Sequence, residues 1–92
     1  MARLTERQVA AQLKSTKGWK RTGDEIRRKF VHKDFARAMG FVQSVALLAE
    51  KMNHHPDIDI RWNKVLLVLS THSAGGLTEK DFTLAKEINA LP

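Results

Sequence analysis

No cysteine occurs in this chain of 92 residues. That absence excludes disulfides, thiolate nucleophiles, zinc ribbons and iron–sulfur clusters, and it fits a reducing compartment. No apolar run is long enough to span a membrane, and the opening Met1-Ala2-Arg3-Leu4-Thr5-Glu6 lacks the apolar stretch of a signal peptide. A soluble, cytoplasmic protein is the expectation. Repeats, linkers and low-complexity segments are also missing, so residues 1–92 read as one domain. Acidic residues are the minority, 10 against 16 Lys and Arg, for a net charge of +6. Many of the cations crowd the first third: Lys14, Lys17, Lys20, Arg21, Arg27, Arg28 and Lys29. No aromatics alternate with them as in single-strand binders, and no helix–turn–helix or zinc-finger pattern is present. A solvated basic face is therefore preferred over a nucleic-acid surface.

The apolar residues that are present fall into clear periods. Thr5-Glu6-Arg7-Gln8 matches a capping box, and Val9, Ala10 and Leu13 follow at helical spacing, which predicts a first helix ending before Gly18. Gly23-Asp24 separates two short runs, the second with Ile26, Arg28 and Phe30 on one side, as in a hairpin. Asp34 is placed to cap a long helix with Phe35, Ala38, Met39, Val42, Val45, Ala46, Ala49 and Met52 along one stripe. That helix should stop before His54-His55-Pro56, because proline disfavours helical geometry in the residue before it. Ile58, Ile60 and Trp62 alternate with polar residues as one strand, with a turn at Asn63-Lys64. Val65-Leu66-Leu67-Val68-Leu69 reads as a central strand covered on both faces. Thr78-Glu79-Lys80-Asp81 is a second capping-box pattern, opening a last helix through Phe82, Leu84, Ala85, Ile88 and Leu91. The predicted order is α-β-β-α-β-β-α, an α+β domain with one antiparallel four-stranded sheet and three helices on one face. The apolar second face of Val65–Leu69 and the wide helical stripe point to a homo-oligomer.

Three of the four histidines lie in two short pieces, His54-His55-Pro56 and Ser70-Thr71-His72. His32 stands apart and receives no role. A hairpin of the third and fourth strands would bring the His54-His55 loop beside His72. Imidazoles titrate near neutrality, so their convergence suits acid–base catalysis. A metal site is the second possibility, with Asp57, Asp59 or Asp81 as further ligands. However, adjacent histidines rarely reach one ion, and the helical His-x-x-x-His spacing is missing. Ordinary surface histidines are the third. Asp81 is placed either to cap its helix or to orient His72 and favour its protonated form. Neither Ser70 nor Ser73 sits in a nucleophile elbow, and Gly75-Gly76 is too short for a phosphate loop.

Four stretches, taken together, resemble the pterin-4a-carbinolamine dehydratase family. They are Glu50-Lys51-x-x-His54-His55-Pro56-Asp57, Trp62-Asn63-Lys64-Val65, Leu69-Ser70-Thr71-His72 and Gly76-Leu77-Thr78-Glu79-Lys80-Asp81. The resemblance runs from about Glu50 to Ile88 and is weaker upstream, where Leu4-Thr5 and Gly18-Trp19 sit at the family's first helix and first strand. It implies a dehydratase that removes water from a 4a-hydroxytetrahydropterin to give the quinonoid dihydropterin, in tetrahydrobiopterin recycling, with no metal or organic cofactor and as a dimer or tetramer. It implies His54 and His72 as the acid/base pair and His55 as the residue that binds or orients the pterin. Pro56, Thr71, His72, Ser73 and Ala74 would line the pocket, and Asp81 would assist. Many family members carry tryptophan where this chain has Ile58 and tyrosine where it has Trp62. Some also act as partners of transcription factors, so a non-catalytic protein-binding or regulatory module on the same fold is the alternative expectation.

Overall fold

Helix starts in this chain are set by side chains that accept the backbone N–H groups a helix leaves unpaired. In the computed structural model, which describes residues 2–92, Thr5 opens α1 (Glu6–Lys14). Its hydroxyl accepts from the Gln8 N–H, and the Gln8 side chain accepts from the Thr5 N–H at 2.8 Å. Asp34 opens α2 (Phe35–Met52), its carboxylate accepting from the Arg37 N–H at 2.9 Å. Thr78 opens α3 (Glu79–Asn89), where Asp81 accepts from the Thr78 N–H at 2.9 Å. Between the helices run β1 (Lys20–Thr22), β2 (Glu25–Val31), β3 (Asp57–Arg61) and β4 (Lys64–Leu69). A one-turn 3-10 helix, His72–Ala74, follows β4. The predicted α-β-β-α-β-β-α order is the observed one.

All strand pairs are antiparallel, in the order β1-β2-β4-β3. The alternation of β4 decides which face is the core. Val65, Leu67 and Leu69 are fully buried, and they meet Ile26 of β2, Ala38 and Val45 of α2, and Phe82, Leu84, Ala85 and Ile88 of α3. Val9 of α1 and Trp19 close one end of this cluster. Trp19 also spends its indole N–H on Asn89 at 2.9 Å, joining the start of the sheet to the end of α3.

Two expectations change. β4 is central, but it is not covered on both faces. Leu66 and Val68 point away from the helices and are only half-buried, because all three helices pack on one side. Trp62 is not a strand residue either. β3 ends at Arg61, which pairs directly with Lys64, so the turn is Trp62-Asn63. Asn63 fixes this register. Its side-chain amide donates to the His32 carbonyl at 2.8 Å and its carbonyl accepts from the His32 N–H at 2.8 Å. With Asn63 committed to the end of β2, Trp62 takes the left-handed conformation, φ 52°, at a cost of order 1–2 kcal/mol for a residue with a Cβ. Asn63→Ala removes the side-chain bond. It should lower stability by about 1 kcal/mol and the melting temperature by about 4–8 °C in a domain of this size, as thermal unfolding followed by circular dichroism will report.

Candidate active site

The end of α2 places the paired histidines. Asn53 turns left-handed at φ 51°, ψ 45°, so the Asn53 N–H reaches the Glu50 carbonyl and the His54 N–H reaches the Ala49 carbonyl at 3.0 Å. This paired closure ends the helix and lifts the chain off its axis, and Asn is one of the few residues with a Cβ that tolerates the conformation. Pro56 then hands the chain to β3. Since Asp57 pairs with Val68, the His54-His55 segment runs back alongside Ser70-Thr71. The predicted hairpin is present, and it brings the two histidine-bearing pieces to one end of the sheet.

A buried hydrogen-bond network ties them together. His54 is 9% exposed, and its Nε2 lies 2.6 Å from Asp81 Oδ1. Asp81 Oδ2 accepts from the Thr78 N–H at 2.9 Å and from the Thr71 hydroxyl at 2.8 Å. The Thr71 and Thr78 hydroxyls are 2.8 Å apart. A hydroxyl has one proton, and Thr71 gives its own to the carboxylate, so Thr78 donates into Thr71. An ionised Asp81 can only accept, so Nε2 of His54 carries the proton between them, leaving Nδ1 as the ring's uncommitted nitrogen. Of the two roles expected of Asp81, the structure shows the helix cap; the histidine it contacts is His54 and not His72. Oδ2 is consumed by the cap and by Thr71, and the remaining oxygen meets the imidazole that the α2 terminus pushes into the interior.

His72 and His55 are exposed. His72 opens the 3-10 turn directly after Thr71, and that turn is a closed excursion. Thr71 and Gly76 bridge the two ends, the Thr71 N–H donating to the Gly76 carbonyl at 3.0 Å. The Ala74 and Gly75 N–H groups fold back onto the Thr71 and His72 carbonyls, each at 3.0 Å, with Gly75 left-handed at φ 72°. The carbonyl of Gly75 accepts from Arg3 at 3.3 Å, so the N-terminal arm braces the turn from outside. Ser73 is exposed and Ala74 half-buried, whereas Thr71 is buried with its hydroxyl and both backbone groups already bonded.

His55 Nε2 lies 2.5 Å from a carboxylate oxygen of Glu50. Glu50 had no assigned role in the sequence, yet a signal was available. It sits in the last turn of α2, where the helix dipole disfavours an acid, so a carboxylate there calls for a nearby cation or donor. Ile58 is 39% exposed on the edge strand beside the site. Trp62 lies at the other end of the same hairpin, about 17 Å away at the usual rise of a five-residue strand, and cannot stack on a ring held by the histidines of its own chain. Two depressions, of about 290 and 280 Å3, lie elsewhere, on the open face of the sheet and beside His32. No three His, Asp or Glu side chains converge as a metal site among the described residues.

The family described as pterin 4 alpha carbinolamine dehydratase matches residues 2–91. The chain belongs to this family. Relatives bearing the family name support the assignment over the full length: one from Thermomicrobium roseum is 50% identical over 91 residues, covering 99% of this chain and 98% of the relative. One from Acidobacterium capsulatum is 53% identical, covering 99% of each. Among solved structures, a transcriptional coactivator/pterin dehydratase from Brucella melitensis superposes with a TM-score of 0.92 at 41% identity, covering 96% of both chains. A pterin dehydratase-like protein described as a RuBisCO assembly factor in the alpha-carboxysome reaches a TM-score of 0.64 at 20% identity, over 78% of this chain and 83% of its own. At that identity it shares the fold alone.

Proposed function

We propose that this protein is a 4a-hydroxytetrahydropterin dehydratase, a hydro-lyase acting in tetrahydrobiopterin recycling in the cytoplasm. The observation that carries the reading is the buried His54–Asp81–Thr71 network, which holds one imidazole in a fixed tautomer and anchors the turn that presents another. The reaction needs an acid and a base. The C4a–O bond breaks as an acid protonates the leaving hydroxide. The N5 lone pair forms the C4a=N5 bond, and a base takes the N5 proton. Water and the quinonoid dihydropterin result, with no redox change. His54, through Nδ1, and His72 form the acid/base pair. Each well-placed proton transfer is worth about a hundredfold or more. His55, held by Glu50, orients the ring. Pro56, Ser73 and Ala74 line the pocket. Thr71, with its polar groups spent internally, acts as a positioning residue for His72.

The test is the dehydration rate of a freshly generated 4a-hydroxytetrahydropterin, with wild type beside His72→Ala. Wild type should accelerate it, and His72→Ala should reduce kcat/KM by about a hundredfold. Melting should hardly move, because an exposed side chain outside the core changes stability by no more than about 0.5 kcal/mol. A well-folded wild type without acceleration would leave the other reading of the fold, a non-catalytic regulatory or protein-binding module.

A homo-oligomer belongs to the same proposal. Phe35, Met39 and Leu47 of α2 are 52%, 40% and 65% exposed although the helix buries Ala38, Val45 and Ala49 beneath them. An apolar strip of this kind is normally covered. Sedimentation should return two or four times the 10.4 kDa chain mass, and Leu47→Glu should shift it toward the monomer.

A further inference from the structure

The open face of the sheet carries cations that confront one another. Side chains on one face of an antiparallel pair sit about 5 Å apart when directly opposite and about 7–8 Å apart on the diagonal, and like charges directly opposite destabilise the pair. Here Lys20 of β1 is directly opposite Arg27 of β2, and Arg61 of β3 is directly opposite Lys64 of β4. Lys29 pairs with Leu66, which places it diagonal to Lys64 on the same face. Three acids share the face, Glu25, Asp57 and Asp59, against the five cations Lys20, Arg27, Lys29, Arg61 and Lys64, so they neutralise only part of this. Glu25 engages Arg27 at 3.1 Å and Asp59 engages Arg61 at 3.2 Å, while Lys20, Lys29 and Lys64 have no acidic partner among the described residues. Arg27 keeps a buried Nε with no partner. Two confronting cation pairs are a poor choice for a face that meets only water.

The same face has a shape and an aromatic residue. A depression of about 290 Å3 has Leu66 in its lining with Lys29, Arg61, Lys64 and Asp59. Trp62, 64% exposed, has the Lys64 ammonium 5.6 Å from its ring centre. The cations run from the Lys20–Arg27 row to the Arg61–Lys64 row, about 13 Å by strand rise, which is too long for one phosphate and suits successive ones. The sequence order of the basic residues showed no aromatic interleaving. The register brings one aromatic to the basic face, Trp62 beside Lys64 at the Arg61–Lys64 end.

We propose that the open face of the sheet, centred on Lys29, Lys64 and Trp62, binds single-stranded nucleic acid, with phosphates on the unpaired lysines and a base against Trp62. Such surfaces combine a cationic track with a stacking platform and read little sequence. The proposal does not rest on the dehydratase reading, since this face lies on the opposite side of the sheet from the helices that shape the histidine site.

Fluorescence anisotropy of a labelled oligouridine of about 12 nucleotides tests it on the full chain. Wild type should bind in the micromolar range at about 50 mM salt and lose about 18-fold in affinity by about 200 mM, the slope for three phosphate contacts on a single strand. Lys29→Glu combined with Lys64→Glu should weaken binding by more than tenfold and flatten the salt slope. Both changes replace confronted cations, so the variant should fold at least as well as wild type and keep wild-type dehydration. Trp62→Ala should weaken binding by about tenfold with the slope unchanged. Lys14→Glu, on the exposed side of α1, should have little effect. Absence of binding at low salt would overturn the proposal. So would equal weakening by Lys14→Glu, or binding of UTP as tight as that of the oligonucleotide.

Discussion

Replacing Asp81 by alanine is expected to cost about 3–5 kcal/mol, the usual penalty when one member of a buried charged network is removed. Three donors lose their acceptor at once: His54 Nε2, the Thr71 hydroxyl and the Thr78 N–H. Asp81 is fully buried, so water does not take the vacated place without reorganisation. Small domains are stable by about 5–15 kcal/mol in total, and the loss should lower the melting temperature by at least about 12 °C. Asp81→Asn separates the structural effect from the chemical one. The amide oxygen can still serve Thr71 and Thr78, but the amide nitrogen would face His54 and donate to Nε2, forcing the proton of a neutral ring onto Nδ1. Stability should fall by only about 1–2 kcal/mol. Dehydration should fall by about a hundredfold or more, as expected when an imidazole is held in the wrong tautomer. Urea unfolding and single-turnover rates on both variants check this, and an Asn variant with wild-type kcat would remove His54 from the acid/base pair.

Phe82→Ala should be the most destabilising single truncation in the core. Phe82 is 1% exposed and follows Asp81 on the first turn of α3, packed against the sheet. Truncating a buried phenylalanine costs about 3–5 kcal/mol, part lost transfer energy and part cavity. The expected signature differs from that of Asp81→Asn. Activity should decline in step with the folded fraction across a urea titration, while the rate per folded molecule stays close to wild type. Phe82→Leu, which fills most of the volume, should recover most of the stability. A rate per folded molecule that dropped in Phe82→Ala would mean that the core positions the histidines more directly than the Asp81 network does.

The helix boundaries were legible because their determinants are local. Thr5, Asp34 and Thr78 act within the first turn of their helices, whereas the end of α2, expected from Pro56, is made by the left-handed Asn53. The two hairpins, and with the second the approach of the histidine pieces, followed from alternation and short turns, whereas the pairing of β2 with β4 did not. What escaped was set by pairs distant in sequence. The His54–Asp81 contact spans 27 positions and depends on where α3 lies across the end of β4, which no local pattern encodes. Asn63 moved the turn by one residue because its partner is His32, in another strand. The role of Glu50 was closest to readable, since an acid in the last turn of a helix is a local anomaly with a physical cause.

The network around Asp81 also bears on how this sequence can change over generations. His55 and His72 are exposed, and a lineage could exchange either with little effect on folding, silencing the proposed chemistry while keeping the domain. Asp81 allows no such drift, because the helix start and the anchored imidazole are lost together. Descendants that reuse the domain for another purpose should therefore keep the aspartate and shed the exposed histidines first.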